Sequence, residues 1–313
     1  MSNQPRVCTI HAPGKVNLHL EIGDLRSDGF HDIKSIFAGL EFGDDLRFEI
    51  TEEKGFWELL AGNSGFPAEF YGKDNLVTRA VSLFGEKTGF DQGIRCTLTK
   101  KIPPGAGLGG GSSDAASALM ALNCLCGTGL PMDRLAEMAA CLGSDVPYFL
   151  HGGTAYAGGR GEFIEELPAL AEYRVLLVIP GFQSSTAEAY RLLDQSRNGA
   201  WHHFGRRQTE SGLKNSLKMP AGEWPFFNDF LPVLPQSDVY RTIINELLEN
   251  GADFAGLSGS GSCCYGVFAD RERAGRAEKN LIASEKLIKN IKIHQNYIHN
   301  TFFLASGADP VLQ

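Results

Sequence analysis

The segment that most constrains this chain is a glycine-rich run set between a strand-like stretch and a strong helix. Residues 93–102 (GIRCTLTKKI) read as a strand, and 113–125 (SDAASALMALNCL) is rich in Ala, Leu and Met, as a helix prefers. Between them lies PPGAGLGGGSS, with glycines at 105, 107, 109, 110 and 111. Glycine has no Cβ, so successive backbone N–H groups can turn inward around an anion. A helix start adds unpaired N–H groups and the positive end of a dipole. The two serines bring hydroxyls that can reach phosphate oxygens or a magnesium ion. The plain alternative is a flexible linker, but linkers seldom stand between a strand and a strong helix. The run is therefore expected to hold a nucleotide polyphosphate through Pro104, Gly105, Ala106, Gly107, Leu108, Gly109, Gly110, Gly111, Ser112, Ser113 and Asp114. Ser112, Ser113 or Asp114 is expected to cap the helix.

Common phosphate-loop patterns fit poorly. Gly105-x-Gly107-x-x-Gly110 matches the dinucleotide fingerprint, but the preceding TLTKKIPP is polar and broken by proline. The position about 20 residues on, Asp133, falls in a helical pattern and not at a strand end. No lysine follows the glycines as a Walker A loop requires, and the H-R-D and D-F-G signatures of protein kinases are absent.

Residues 6–23 and 32–50 read as strands around a turn-rich link, and 51–73 is a polar stretch. Helical spacing marks 75–84 and 133–143, the latter ended by Gly143. VLLVI at 175–179 is a buried strand, and 194–225 lacks periodicity and is expected to be an exposed excursion. A helix is expected over 238–250 and a solvated helical segment from 271 to 291. Further glycine clusters lie at 152–161, read as backbone packing, and at 256–261, read as a turn beside substrate phosphates. Strands and helices mix without a steady βαβ rhythm, which favours an α+β fold. The change in character over 162–172 divides the chain into domains at 1–165 and 166–313.

The net charge of −8 lacks the basic footprint of a nucleic-acid binder. No apolar run approaches the 18 residues of a membrane span. The seven cysteines form no C-x-x-C pair and the histidines no H-E-x-x-H, so no protein metal site is expected. The polar N-terminus leaves no room for a signal peptide, and the expectation is a cytoplasmic protein. The 37 glycines exceed the roughly 22 of an average chain this long. The three clusters absorb 13 of them, so glycine is a local device here.

The loop PPGAGLGGGSSDAA resembles that of the GHMP kinase superfamily, and two further superfamily signatures are present: Ala12-Pro13-Gly14-Lys15-Val16-Asn17-Leu18 and Gly256-Leu257-Ser258-Gly259-Ser260-Gly261-Ser262. The resemblance implies an N-terminal domain like the second domain of ribosomal protein S5, a C-terminal ferredoxin-like domain, and ATP in the cleft between them. Within the superfamily, KVNLHLEIGDLRSDGFHDIKSIF, LGSDVPYFLHGGTAYAGGRGE and FNDFLP are most similar to the kinases that phosphorylate the 2-position of 4-diphosphocytidyl-2-C-methyl-D-erythritol. Gly14 stands where that subfamily more often has Ala, Phe30 replaces a usual Tyr, and Leu231 a usual Glu.

The resemblance implies that Lys15 and Asp145 are the catalytic pair, with magnesium carried in on ATP. It also implies Phe30 and Tyr190 as an aromatic sandwich for cytosine, His31 at the base edge, and Asn17 on the methylerythritol part. Phe37 would line the pocket and Thr186 would lie near the phosphates. Asn75 is expected close to adenine. From residue types alone, Asp145 reads equally as a helix N-cap ahead of Pro147, and the aromatics as core. Two other readings stay open: a mevalonate or homoserine kinase, which would lack RSDGFHDIKSIF, and a non-catalytic nucleotide-binding regulator, against which Lys15 and Asp145 argue.

Overall fold

The computed structural model describes residues 6–63, 65–170, 173–197, 207–284, 292–297 and 311–312. Its frame is a long antiparallel hairpin, β1 (Val7–Leu25) and β2 (His31–Thr51), closed by the turn-rich link. β2 is long enough to serve two partners. Its C-terminal half pairs with β4 (Gly93–Thr99) and its N-terminal half with β5 (Thr154–Gly158), itself joined to β6 (Phe163–Glu166). β3 (Trp57–Ala61) lies parallel to β4 at one edge, and β11 (Val311–Leu312) pairs with β1 at the other. β3 falls in the stretch expected to be merely polar. It is a short, half-buried edge strand and carries little apolar alternation.

Three helices cover one face of this sheet: α1 (Leu76–Thr88), α2 (Gly110–Cys126) and α3 (Met132–Leu142). α2 is the central one, buried on nearly every side, with Ala115, Ala116, Ala118 and Ala121 all inaccessible. Small side chains let its backbone approach the sheet closely, so burial here comes from packing and not from one apolar stripe.

The second sheet has the order β10-β7-β9-β8, all antiparallel, formed by β7 (Arg174–Ile179), β8 (Phe254–Leu257), β9 (Cys264–Phe268) and β10 (Lys292–Tyr297). Helices α5 (Thr186–Arg197), α6 (Glu210–Ser216) and α7 (Ser237–Glu249) lie between β7 and β8 in the chain. α8 (Arg271–Ala283) follows β9, giving the split βαβ order of a ferredoxin-like layer. The chain passes from one sheet to the other between Glu166 and Arg174. The two layers share a core in which Val16, Leu18 and Leu40 meet Val175, Leu177 and Tyr265.

The expected exposed excursion is corrected in part. Leu213, Ala221 and Trp224 are buried in that shared core, and Trp224 stacks edge-on against Tyr173. Isolated apolar residues in short turns and a two-turn helix leave no period to read. Residues 198–206, with His202 and His203, and the end of the segment expected to be helical, 285–291, lie outside the described residues. Among the described residues no helix is long and apolar enough to cross a membrane.

Candidate active site

The sequence APGKVN builds one wall of the site. The β1–β2 register shifts between Pro13 and Lys15 and again between Asn17 and His19. Such irregularities re-aim side chains and release ladder groups. The Lys15 N–H accordingly leaves the sheet and donates to the carbonyl of Leu108 in the glycine loop, at 3.0 Å. The Lys15 side chain is buried. Its Nζ donates to Asn17 Oδ1, stands 3.7 Å from Asp145 Oδ2 and lies 4.9 Å above the Phe37 ring. Burial pushes the Lys15 pKa down, and the Asp145 carboxylate partly offsets that shift.

Asp145 is not a helix cap. α4 (Tyr148–His151) is a four-residue turn entered through Pro147, with no side-chain cap. The carboxylate is half-buried and faces Lys15 instead.

The glycine loop arrives opposite this pair. α2 begins at Gly110, capped by the backbone of Gly109 in the left-handed region, with no side-chain cap. That corrects the expected cap at Ser112, Ser113 or Asp114: the helix starts within the glycines. The N–H groups of Gly110, Gly111 and Ser112 therefore have no acceptor within the helix. The backbone of Gly107 adopts φ +75°, and a Cβ there would stand 2.1 Å from the Ser258 carbonyl oxygen, so no other residue fits.

The third glycine cluster grips the first. Ser258 Oγ donates to the Gly107 carbonyl at 2.8 Å and accepts the Asn17 N–H at 3.2 Å. Ser262 N–H reaches the Gly105 carbonyl and Cys263 N–H that of Ala106. Asn228 Nδ2 in turn donates to the carbonyls of Leu257 and Gly259, both at 2.8 Å. Sequence reading proposes the nearness of the two clusters. Ser258 and Asn228 as the connecting groups come only from the structure.

These elements surround a cavity of about 810 Å³. Lys15, Asn17, Phe30, His31, Phe37, Asp145, Thr186 and Tyr190 all line it, together with Pro104 through Ser112. Thr186 Oγ1 is 2.9 Å from Ser260 Oγ, which places it beside the glycine clusters. Asn17 is tied down, its Nδ2 donating to Ser35 Oγ at 2.9 Å while its Oδ1 receives Lys15, so it orients the lysine.

The two rings expected to sandwich cytosine both line the cavity, and each contacts another side chain. Tyr190 stacks on His31, with centroids 5.2 Å apart, and Phe30 carries the Arg160 guanidinium on its ring at 4.9 Å. His31 faces Asp194 Oδ1 at 3.2 Å through Nε2 and the Gly23 carbonyl at 3.1 Å through Nδ1. Asn75 caps α1 by accepting the Val77 N–H.

Ser113 and Asp114, expected in the phosphate loop, do not line the cavity, because a helical turn rotates them into the core. Asp114 there meets Lys100 Nζ at 2.7 Å, and the same ammonium contacts Asp44. Asp44 also accepts the Lys101 and Ile102 N–H groups, fixing the chain that leads into the loop. With two carboxylates on one ammonium in a dry site, burial pushes the Asp114 pKa up to about 8, and the paired carboxylates raise that of Lys100 against its desolvation. No pattern in the sequence signals this triad, since its members lie on three elements. Among the described residues no cluster of His, Cys, Asp and Glu is placed to hold a metal ion.

Residues 75–153 match the GHMP kinases N terminal domain family and 215–286 the GHMP kinases C terminal family. A 4-diphosphocytidyl-2-C-methyl-D-erythritol kinase of Treponema pallidum (strain Nichols) is 36% identical over 278 residues, covering 87% of this chain and 94% of that protein. The crystal structure of a 4-(cytidine 5'-diphospho)-2C-methyl-D-erythritol kinase superposes with a TM-score of 0.73 at 30% identity, over 92% of this chain and 99% of that one. A homoserine kinase from Cytophaga hutchinsonii shares the fold, with a TM-score of 0.69 at 19% identity, over 100% and 99% of the two chains. The α+β architecture, the interlocked glycine clusters and these likenesses agree: the chain belongs to the GHMP kinases, in the family of the 4-diphosphocytidyl-2-C-methyl-D-erythritol kinases.

Proposed function

We propose that this kinase transfers the γ-phosphoryl group of ATP to the 2-hydroxyl of 4-diphosphocytidyl-2-C-methyl-D-erythritol, a cytoplasmic step toward isoprenoid precursors by the non-mevalonate route. The observation that carries the reading is one cavity with a Lys15–Asp145 pair beneath a phosphate-type helix start and a His31–Tyr190–Phe30 aromatic group along its wall.

Phosphoryl transfer needs little covalent help. It needs alignment and neutralisation of charge. The open N–H groups of Gly110, Gly111 and Ser112 receive the ATP phosphates. An acceptor hydroxyl between Asp145 and Lys15 donates a hydrogen bond to the carboxylate. Its oxygen bonds to the γ-phosphorus as the bond from that phosphorus to the β-phosphate bridging oxygen breaks. ADP leaves, and the hydroxyl proton passes to Asp145 and on to water. The Lys15 ammonium, kept dry by Phe37, offsets charge on the transferring group.

Magnesium fits as a companion of the nucleotide. Ser112 lines the cavity beside the phosphate-type helix start, and its hydroxyl would offer a ligand to magnesium brought in on ATP. Bound there, it would neutralise phosphate charge.

The test is ADP formation with the cytidyl alcohol, mevalonate and homoserine as separate acceptors. Turnover is expected with the cytidyl alcohol alone. Turnover with either of the others would move the chain to a different substrate class, and ATP binding without turnover on any alcohol would leave only a regulator.

A further inference from the structure

The cavity carries three permanent cations among its described lining residues: Lys15, Lys100 and Arg160. Two are committed. Lys15 sits between Asn17 and Asp145, and Lys100 between Asp44 and Asp114. Arg160 differs. Its guanidinium lies 4.9 Å over the Phe30 ring, and its ion pair with Glu162 is loose at 3.5 Å. That carboxylate is occupied, because Glu162 Oε2 accepts the backbone N–H of Arg160 at 2.6 Å and so closes the turn. Arg160 Nε, the atom of that loose pair, is buried and makes no hydrogen bond, so Glu162 holds the guanidinium weakly. Asp28, exposed in the β1–β2 link two residues before Phe30, is a further acid within its electrostatic reach.

Position adds to charge. The next residue, Gly161, has φ +114°, and a Cβ on it would stand 3.6 Å from Asp145 Oδ1. The turn that carries Arg160 thus borders Asp145 through Gly161, while the guanidinium itself lies at Phe30. A substrate with its alcohol at Asp145 and its base near Phe30 and His31 must run its linking group past this side chain. A guanidinium with unspent donors in a fixed fork is suited to phosphate oxygens.

We infer that Arg160 grips the diphosphate of the cytidyl substrate and so makes the enzyme read a nucleoside diphosphate and not merely a cytosine. The inference rests on the cytidyl reading above and deepens it. The glycine cluster at 152–161 then serves recognition through its last turn as well as packing.

The test compares cytidine and cytidine diphosphate as competitors of the cytidyl alcohol in the wild type, Arg160→Lys and Arg160→Ala, with the KM for ATP measured alongside. Cytidine diphosphate is expected to bind the wild type at least about tenfold tighter than cytidine. Arg160→Ala is expected to remove most of that preference while leaving cytidine affinity and the KM for ATP within about twofold. Arg160→Lys keeps a charge without the fork and is expected to fall between them. Equal weakening of both competitors in Arg160→Ala would assign Arg160 to the base through Phe30 and overturn the inference. An unchanged preference would also overturn it. Failure of the wild type to bind either competitor would instead overturn the cytidyl reading, and the inference with it.

Discussion

Lys15 Nζ and Asp145 Oδ2 stand 3.7 Å apart, a contact wider than a hydrogen bond, across which two elements distant in the chain face each other. The ammonium is buried and the carboxylate is half open to the cavity. An acceptor hydroxyl that enters between them meets a proton acceptor and a cation at once. Replacing Asp145 by Asn keeps the shape and removes the acceptor charge. We expect kcat to fall by about 10²-fold or more, with the KM for ATP little changed. Equal losses in both would contradict the assignment.

The same burial gives a pH signature. Desolvation lowers the Lys15 pKa from the usual lysine value of 10.5. The role proposed for Lys15 needs the ammonium, so activity is expected to fall as pH rises. The alkaline limb of kcat/KM is therefore expected below pH 10.5. A limb unchanged in Lys15→Arg, which stays charged, would show that another group titrates.

Gly107 and Ser258 are predicted to behave as one device. In Gly107→Ala a methyl group would be driven into the Ser258 carbonyl from a backbone at φ +75°. The strain is on the order of 1–3 kcal/mol before the clash is counted. We expect a lower melting temperature and a KM for ATP raised about tenfold or more. Ser258→Ala loses two hydrogen bonds but creates no clash. Its expected cost is smaller, about 1–2 kcal/mol, and a double mutant should be clearly non-additive. Simple additivity would mean that the clusters do not brace each other.

Asp114 makes stability depend on pH in an unusual direction. Its folded pKa is raised to about 8 from the ordinary carboxyl value of 3.8, so the folded protein holds a proton that the unfolded chain releases. That contribution is complete below about pH 4 and is lost as pH rises toward 8. Lys100, shifted upward, stays charged throughout this window. Urea unfolding of the wild type and Asp114→Asn at about pH 5, 6.5 and 8 should show a steeper loss in the wild type. Parallel pH profiles would place the extra proton elsewhere.

Much of the architecture can be read from the sequence because its causes are local. The glycine run, the Ala-rich helix after it and the apolar strand 175–179 announce themselves within short stretches of chain. Tyr190 and Trp224 show where such reading stops. Tyr190 stacks on His31 because α5 carries it across from the second layer. Trp224 fills the core between the sheets from a segment with no period. Arg160 reads in sequence as one more member of a glycine cluster, and its relation to Phe30 requires the folded hairpin.

Three ordered motifs determined the family and the open helix start after the glycine loop, since backbone N–H groups freed by glycine there depend on neighbouring residues alone. The tertiary structure decided which side chains face one another in the cavity. It set Asp145 against Lys15, turned Ser113 and Asp114 away from the cavity, and locked the loop with Ser258. Those outcomes depend on the β1 register shifts, on which face of α2 is buried, and on two layers sharing one core. Each is a long-range packing choice, and no short stretch of sequence contains it.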